Sequence, residues 1–268
     1  MEYHEQIKVG ADPEFFLLDE AKINISAHDI VPGTKKDPFP LKHGALQADG
    51  TAVEFNVLPS RTRGEFSDNI TSILDEIRGR VPKELTFDFS PSVQYPENYF
   101  NELPTLSKEL GCDPDVNVDG KLNMPNPPEK GTWRTGAGHL HTGWGEDLLD
   151  NVDHAEDCRR YIENLDSLWC AFSPAFEFDP FRTRLYGRPG SYRVKPYGVE
   201  YRTPSNAWLK YPKLYPFIFE LCSYTYHTML GGNPVPKLRG NIPNKTYDLV
   251  AQGGPSFPKN FKEIRYGC

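Results

Sequence analysis

Several features that would place a chain in a common class of proteins are missing from this sequence. Its 268 residues include five cysteines, widely spaced and without a C-x-x-C pair, so neither a disulfide framework nor a zinc knuckle is indicated. No apolar run approaches the roughly 18 residues that a membrane span needs. The net charge of −7 argues against a protein that holds nucleic acid through its overall field. We therefore expect reduced thiols, no membrane partner and no nucleic-acid partner.

Two common nucleotide-binding motifs are also missing. The pattern G-x-x-x-x-G-K-[ST] is absent, which excludes a P-loop, and no G-x-G-x-x-G follows a strand, which disfavours a dinucleotide-binding fold. Any nucleotide would have to be held by metal ions and arginines instead. The segment MEYHEQIKVG at residues 1–10 has neither a basic n-region nor an apolar h-region, so we expect a cytoplasmic protein.

The composition is that of a globular protein with long loops. The chain is 38% hydrophobic and 25% charged, which suffices for one large core, and we expect a single domain over residues 1–268. The 25 prolines and 22 glycines accompany 13% aromatic residues, so they indicate ordered loops rather than disorder. We expect a loop insertion at about 90–134 and a C-terminal strap or lid at about 232–268.

Residues 186–209 combine ionic and aromatic side chains in one short stretch. The turn Pro196-Tyr197-Gly198 separates residues 192–195 from residues 199–202, which predicts a hairpin. The period-2 alternation of strands divides its side chains between an ionic and an apolar set. The ionic set is Arg193, Lys195, Glu200 and Arg202, and the apolar set is Tyr192, Val194, Val199 and Tyr201.

Three other strand-like segments carry ionisable residues at alternate positions. Asp12 and Glu14 share a face of the first segment, although Pro13 should confine that strand to a sheet edge or a bulge. Residues 44–57 predict a hairpin around Asp49-Gly50, with Glu54 on the polar side. His139 and His141 share a face within residues 136–145. The polar faces of these strands could therefore converge on one surface of an antiparallel sheet.

Three helices are predicted by apolar residues at helical spacing. The first runs over about 63–80 after the capping box at residues 62–65, and the second over 153–172. The third follows Pro212 and stops at Gly231-Gly232. We therefore predict an α+β fold in which an antiparallel sheet has helices packed on the face opposite its polar side chains.

The predicted polar face favours phosphoryl chemistry with a divalent metal. Carboxylates and a histidine without a nearby thiolate suit Mg²⁺ or Mn²⁺ and leave positions for phosphate oxygens. Arginines and a lysine beside them would neutralise a transferring phosphoryl group.

Four motifs resemble one family. GADPEFF (10–16), QADGTAVEFN (47–56), RTGAGHLHTGW (134–144) and YGRPGSYRVKPYGVEYRTPSN (186–206) are similar to the phage-encoded carboxylate–amine ligases of the glutamine-synthetase-like superfamily, which are related to glutamate–cysteine ligase. The resemblance implies a glutamine-synthetase-like sheet, ATP with Mg²⁺ or Mn²⁺, and a host cytoplasm. It also implies that a small-molecule or peptide carboxylate is phosphorylated by ATP and that an amine then displaces phosphate.

The resemblance also implies roles for particular residues. The implied metal ligands are Glu14, Glu54, one or both of His139 and His141, and Glu200. The residues implied at the ATP phosphates or the acyl phosphate are Arg193 and Arg202 with Lys195 beside them, and, in the preceding stretch, Arg184 and Arg188. Asp12 and Asp49 would lie beside the ligands and bind metal-bound water or the incoming amine.

Two other functions fit the same residues. A metal-dependent hydrolase of an amide or ester would use the histidines and carboxylates, but it needs fewer phosphate-binding cations. A non-catalytic phage protein would keep the fold and merely bind a nucleotide. Aromatic residues of the 90–134 segment, such as Tyr95 and Phe100, either line an acceptor pocket or anchor the loop by packing. No sequence feature marks an oligomer interface.

Overall fold

The structure is a computed structural model of the chain. It describes residues 7–108, 115–123, 131–177 and 179–230. The strap or lid predicted at about 232–268 lies outside the described residues.

The described chain contains thirteen strands and six α-helices, three of which are long. The strands are β1 (Lys8–Leu18), β2 (Asn24–Ile25), β3 (Phe39–Leu41), β4 (Gly44–Asp49), β5 (Ala52–Ser60), β6 (Thr86–Asp88), β7 (Ser92–Gln94), β8 (Asp115–Asn117), β9 (Leu122–Asn123), β10 (Trp133–Thr135), β11 (Gly138–Gly143), β12 (Ser191–Lys195) and β13 (Gly198–Tyr201). The α-helices are α1 (Arg63–Arg78), α2 (Glu97–Glu102), α3 (Thr105–Lys108), α4 (His154–Phe172), α5 (Pro180–Leu185) and α6 (Leu214–Leu230).

Most of the strands join one large antiparallel sheet. Its order is β3-β4-β5-β1-β11-β13-β12-β8-β9, and β2 and β6 pair with the C-terminal part of β1. Strands β7 and β10 form a separate antiparallel pair. The predicted large antiparallel sheet with helices is therefore confirmed, and β1 lies near the middle of it.

Helices α1, α4 and α6 share one hydrophobic core with the sheet. Apolar side chains that are fully buried come from each layer, for example Phe55 of β5, Ile73 of α1, Leu165 of α4 and Ile218 of α6. Burying each such side chain stabilises the fold by about 1.5 to 3 kcal/mol before the entropic cost of ordering it. None of the described helices has both the length and the apolar character required to cross a membrane.

The local signals in the sequence predicted the hairpins and the first helix well. The side chain of Thr62 accepts a hydrogen bond from the Glu65 amide (3.1 Å), as a helix N-cap does, and α1 follows directly. Gly50 has a φ of 57°, a left-handed conformation suited to glycine, in the turn between β4 and β5. The third helix begins at Leu214, two residues after Pro212.

The prediction that Pro13 confines its strand to an edge or a bulge is wrong. Strand β1 pairs with β11 on one side and with β5 on the other, and its register irregularity lies between Val9 and Ala11. Pro13 lacks an N–H and gives up one ladder bond. The neighbouring Glu14 amide still donates to the Ala137 carbonyl (2.8 Å), so pairing continues past the proline.

The segment predicted as a loop at about 90–134 contains short elements among its described residues. They include β7 and β10, the short helices α2 and α3, and strands β8 and β9 at the end of the large sheet. Tyr95 and Phe100 are buried with Phe16 and Val93 in a second hydrophobic cluster. These two aromatic residues therefore serve as packing anchors of the segment.

Candidate active site

Strand pairing brings the ionisable residues of four strands to the middle of the sheet. Asp12 of β1 lies opposite His139 of β11, and Glu14 lies opposite Glu54 of β5. His141 of β11 lies opposite Glu200 of β13. Residues far apart in the sequence thus lie next to each other because neighbouring strands are about 4.8 Å apart.

One cluster consists of Asp12, His141 and Glu200, whose ligand atoms all lie within 4.8 Å of one another. Asp12 Oδ1 is 3.1 Å from His141 Nε2 and 3.4 Å from His139 Nδ1, and the latter is 3.6 Å from Glu200 Oε1. Burial would raise the pKa of Asp12, but the charges of His141 and His139 hold it well below its usual range. This cluster is called the histidine cluster below.

A second cluster consists of Glu14, Asp49 and Glu54, and their carboxylate oxygens also lie within 4.8 Å of one another. Glu14 accepts from the Ala137 amide (3.0 Å), and Glu54 accepts from the Gln47 side chain (2.6 Å). Removal from bulk water and the neighbouring charge of Asp49 raise the pKa of Glu14 to about 8. Burial and three neighbouring carboxylates raise the pKa of Glu54. Mutual repulsion is therefore built into this cluster, called the carboxylate cluster below.

Three cations of the β12–β13 hairpin surround Glu200. Lys195 Nζ lies 2.7 Å from its carboxylate, Arg193 lies 3.8 Å away, and Arg202 forms a close ion pair with it. Burial would raise the pKa of Glu200, but His139 and then Arg202 outweigh burial and lower it to about 2. Arg202 also donates to Asp115 of β8 (2.9 Å). A phosphate-sized anion at this end of the histidine cluster would meet positive charge.

The other two arginines of the predicted set, Arg184 and Arg188, precede the β12–β13 hairpin in the chain. Arg184 is exposed on α5, 5.7 Å from the ring of Phe181. The Arg188 carbonyl accepts from the Thr203 hydroxyl (3.0 Å), which fixes its backbone behind the hairpin. Neither residue is part of the two clusters.

Asp12 and Asp49 were expected beside the metal ligands, and each instead contributes a carboxylate to a cluster. The spacing of the first strand puts Asp12 and Glu14 on the same face but does not reveal that they belong to different clusters. Asp49 occupies the end of β4, where Lys35 approaches it at 3.7 Å.

Several residues around the clusters could not be found from the sequence. Asp115 falls in the segment predicted as a loop. The hydroxyl of Tyr186 lies 3.0 Å from His139 Nε2 and accepts from Arg202, and the hydroxyl of Tyr197 lies 2.5 Å from His141 Nδ1. The aromatic content of the hairpin was visible, but which rings turn toward the histidines depends on the fold.

Gly138, the first residue of β11, is a glycine because the chain packs closely against it. A Cβ atom at Gly138 would lie 2.1 Å from the Ser205 carbonyl oxygen and 2.4 Å from Trp208 Nε1. Trp208 Nε1 donates to the Gly138 carbonyl (3.1 Å). Glycine therefore allows β11 to approach the chain after β13 closely, and this contact sets the position of His139.

A cavity of about 440 Å³ adjoins the histidine cluster. Asp12 and His141 line it, together with Lys8 and Arg61. Its other walls are largely apolar and include Val57, Pro59, Trp144 and Tyr197. A cavity of this volume and lining can take a small organic group beside the histidine cluster.

Both clusters fit divalent metal ions. Atoms that bind one ion at about 2.1 Å lie roughly 3 to 4 Å from one another, and the distances around Asp12 fall in that range. Oδ1 of Asp12 is buried and forms no hydrogen bond, although two histidine nitrogens are near it. Carboxylate oxygens are the donors expected for Mg²⁺ or Mn²⁺, and an imidazole nitrogen beside them suits a transition ion such as Mn²⁺.

Comparisons with known proteins give only distant structural likenesses. No protein-family model matches the chain, and no curated protein matches it. The chain is similar to a complex of GmaS with ADP (14% identity, 87% of this chain and 57% of that one, TM-score 0.45). It is also similar to a bifunctional glutathione synthetase from Pasteurella multocida, with 9% identity over 92% of this chain and 46% of that one (TM-score 0.41). A third similar structure is a glutamine synthase homolog, with 12% identity over 92% of this chain and 61% of that one (TM-score 0.38). The chain thus spans about half to three fifths of the length of these structures. With TM-scores below 0.5, these likenesses carry no weight for the function.

Proposed function

We propose that this protein is an ATP-dependent ligase that joins a carboxylate to an amine through an acyl phosphate. The observation that carries the proposal is the pair of adjacent clusters at the middle of the sheet, with the hairpin cations at one of them. Phosphoryl transfer requires this combination of metal ligands and fixed positive charge. The carboxylate oxygen of one substrate would attack the γ-phosphorus with ADP leaving, and the amine nitrogen would then attack the acyl carbon with phosphate leaving.

Divalent ions fit this reaction at both clusters. Asp12, His141 and Glu200 with His139 would hold one ion, and Glu14, Asp49 and Glu54 another. When bound, Mg²⁺ or Mn²⁺ would withdraw charge from the phosphate oxygens and make the γ-phosphoryl group transferable.

The three cations of the hairpin would bind the phosphates. The side chain of Arg193 is 33% exposed and that of Lys195 is 26% exposed, so both can turn from Glu200 to a ligand. Arg202 is nearly fully buried and is held by Asp115, which suits a fixed clamp on the transferred group. Arg184 and Arg188 stay proposals as more distant contacts to phosphate or to a substrate carboxylate.

The cavity beside the histidine cluster fits the nucleoside of ATP. Pro59 and Tyr197 are among its lining residues and suit contact with a purine base, and Asp12 and His141 line the same cavity. The phosphates would then extend toward the hairpin cations. In the second half of the reaction Asp49, one fifth exposed, would accept a proton from the amine with the carboxylate oxygen that does not hold the ion.

A hydrolase is the weaker reading of the same site. A hydrolytic metal centre needs an activated water but has no use for three cations around Glu200. The surroundings of Glu200 therefore favour phosphoryl transfer.

Turnover with ATP tests the proposal directly. The purified protein is incubated with ATP, Mg²⁺ or Mn²⁺, and pools of amino acids and polyamines, while ADP and phosphate are followed. Release of both that depends on a carboxylate and an amine is the expected result. Product formed without ATP would indicate a hydrolase, and tight nucleotide binding without any turnover would indicate a non-catalytic binder.

A further inference from the structure

The two histidines of β11 turn different nitrogens toward the same carboxylates. His139 presents Nδ1, which lies 3.4 Å from Asp12 Oδ1 and 3.6 Å from Glu200 Oε1. His141 presents Nε2, which lies 3.1 Å from Asp12 Oδ1. Both imidazoles thus reach one buried carboxylate from two positions of one strand.

The opposite nitrogen of each histidine is held by a tyrosine. The Tyr186 hydroxyl lies 3.0 Å from His139 Nε2, and the Tyr197 hydroxyl lies 2.5 Å from His141 Nδ1. Tyr197 occupies the turn between β12 and β13, and its carbonyl accepts from the Trp144 amide (2.9 Å). The hairpin turn therefore sets the orientation of the His141 ring, and Tyr186, directly after α5, sets that of the His139 ring.

A hydroxyl at the far nitrogen decides which nitrogen can bind a metal. A ligating imidazole needs a lone pair on the near nitrogen, so its proton must reside on the far one and find an acceptor there. A phenol oxygen has two acceptor lone pairs. Tyr186 can therefore accept both from Arg202, which already donates to it, and from His139.

We propose that Tyr186 and Tyr197 are positioning residues that make the histidine cluster a mixed nitrogen and oxygen site, which prefers a transition ion such as Mn²⁺ over Mg²⁺. The carboxylate cluster offers oxygen atoms only and should discriminate less between the two ions. Imidazole nitrogen suits transition ions, whereas Mg²⁺ favours oxygen ligands and water. The inference rests on the metal use that the proposed function includes, and it assigns the two clusters different selectivities.

Manganese binding to the nucleotide-free protein tests the inference. Free Mn²⁺ is measured by electron paramagnetic resonance during titration, with and without competing Mg²⁺, and pulsed measurements detect coupling of bound Mn²⁺ to ¹⁴N. We expect two classes of site. The class with ¹⁴N coupling should keep Mn²⁺ at Mg²⁺ concentrations at least about tenfold higher than those that empty the other class.

Matched variants assign each class to its cluster. Tyr197→Phe and Tyr186→Phe should each weaken Mn²⁺ binding at the nitrogen-coupled class by about 10- to 100-fold and leave the other class unchanged. Glu14→Gln should weaken the other class alone. Tyr224→Phe, a partly buried tyrosine of α6 on the helical side, is the control and should change neither class.

The inference is overturned if both classes lose Mn²⁺ to Mg²⁺ equally, if no ¹⁴N coupling is seen, or if both tyrosine variants bind as the unmodified protein does. Should a variant not fold, as seen by circular dichroism, the competition and coupling data on the unmodified protein still decide. Failure of the proposed function gives a different result, because absence of ATP-dependent turnover leaves these binding measurements intact. Conversely, ATP-dependent turnover together with equal selectivity of both clusters for Mn²⁺ and Mg²⁺ would contradict the inference and support the proposed ligase function.

Discussion

At the scale of single residues, Glu200 has the most exacting position of the candidate site. Its carboxylate is 2% exposed, lies beside the histidine cluster and is surrounded by Lys195, Arg193 and Arg202. A buried charge of this kind is tolerated only with such partners, because desolvation alone would favour its neutral form. The carboxylate is thus ionised at neutral pH, as a metal ligand would have to be, and it holds the three cations around it.

Replacement of Glu200 by Gln should separate these roles from simple packing, because it removes the charge and keeps the shape. We expect metal-dependent nucleotide binding to weaken by roughly 10- to 100-fold or to be lost, since a charged contact contributes about 1.5 to 3 kcal/mol. Isothermal titration with Mg²⁺ and a non-hydrolysable ATP analogue measures this. Glu163→Gln on α4 is the control, and tight binding retained in Glu200→Gln would refute the ligand assignment.

At the scale of elements, the β12–β13 hairpin is held from behind by α4. Asp166 of that helix accepts from the Gly190 amide (2.7 Å), the Tyr201 hydroxyl (2.7 Å) and the Thr203 hydroxyl (3.0 Å). Gly190 lies immediately before β12, Tyr201 is the last residue of β13, and Thr203 follows that strand. Asp166 therefore connects the helical layer to the strands that carry the cations.

Removal of this connection should destabilise the whole fold. Asp166→Ala leaves the Gly190 amide and the Tyr201 hydroxyl without this acceptor, and we expect the free energy of unfolding to fall by about 2 to 4 kcal/mol. Urea denaturation followed by circular dichroism measures the change. Asp153→Ala, at an exposed position just before the same helix, should change stability by no more than about 0.5 kcal/mol. Similar stabilities of the two variants would show that Asp166 does not anchor the hairpin.

At the scale of the whole molecule, the carboxylate cluster places like charges at the centre of the sheet. The carboxylates of Glu14, Asp49 and Glu54 lie together, and Lys35 lies 3.7 Å from Asp49. The folded protein therefore gains protons here that the unfolded chain would release. Stability is linked to pH and to bound cations through this cluster.

The sign of the linkage follows from the raised pKa of Glu14. Its pKa is about 8 in the folded protein and near 4.5 in an unfolded chain, so its contribution to stability is full below 4.5 and is lost as pH rises to 8. In EDTA, the free energy of unfolding should fall with rising pH in this window more steeply for the unmodified protein than for Glu14→Gln. We expect the two slopes to differ by up to about 1 kcal/mol per pH unit. Urea unfolding between pH 5 and 9 measures both slopes.

Saturating Mn²⁺ should reduce this difference between the two proteins, because a bound cation replaces the protons. Equal slopes for the unmodified protein and Glu14→Gln in EDTA would contradict the assignment of the raised pKa. A fall in stability toward low pH that is specific to the unmodified protein would give the linkage the opposite sign.

The amino-acid sequence by itself determined the local elements and the residue types of the site. The capping box at Thr62, the turn at Asp49-Gly50 and the alternation of His139 and His141 depend on neighbouring residues only, and each was correctly predicted. The sheet and its helices followed from the same periodicities. The ionic and apolar sides of the β12–β13 hairpin were also recognisable before any tertiary contact was known.

The tertiary structure alone decided which of these residues meet. Asp12 and Glu14 are two residues apart and belong to different clusters, because β11 and β5 flank β1 on opposite sides. Pro13 lies between two partner strands, and Asp115 reaches Arg202 across 87 residues of sequence. Such contacts depend on strand order and register, which are set by burial of the whole apolar face rather than by any local pattern.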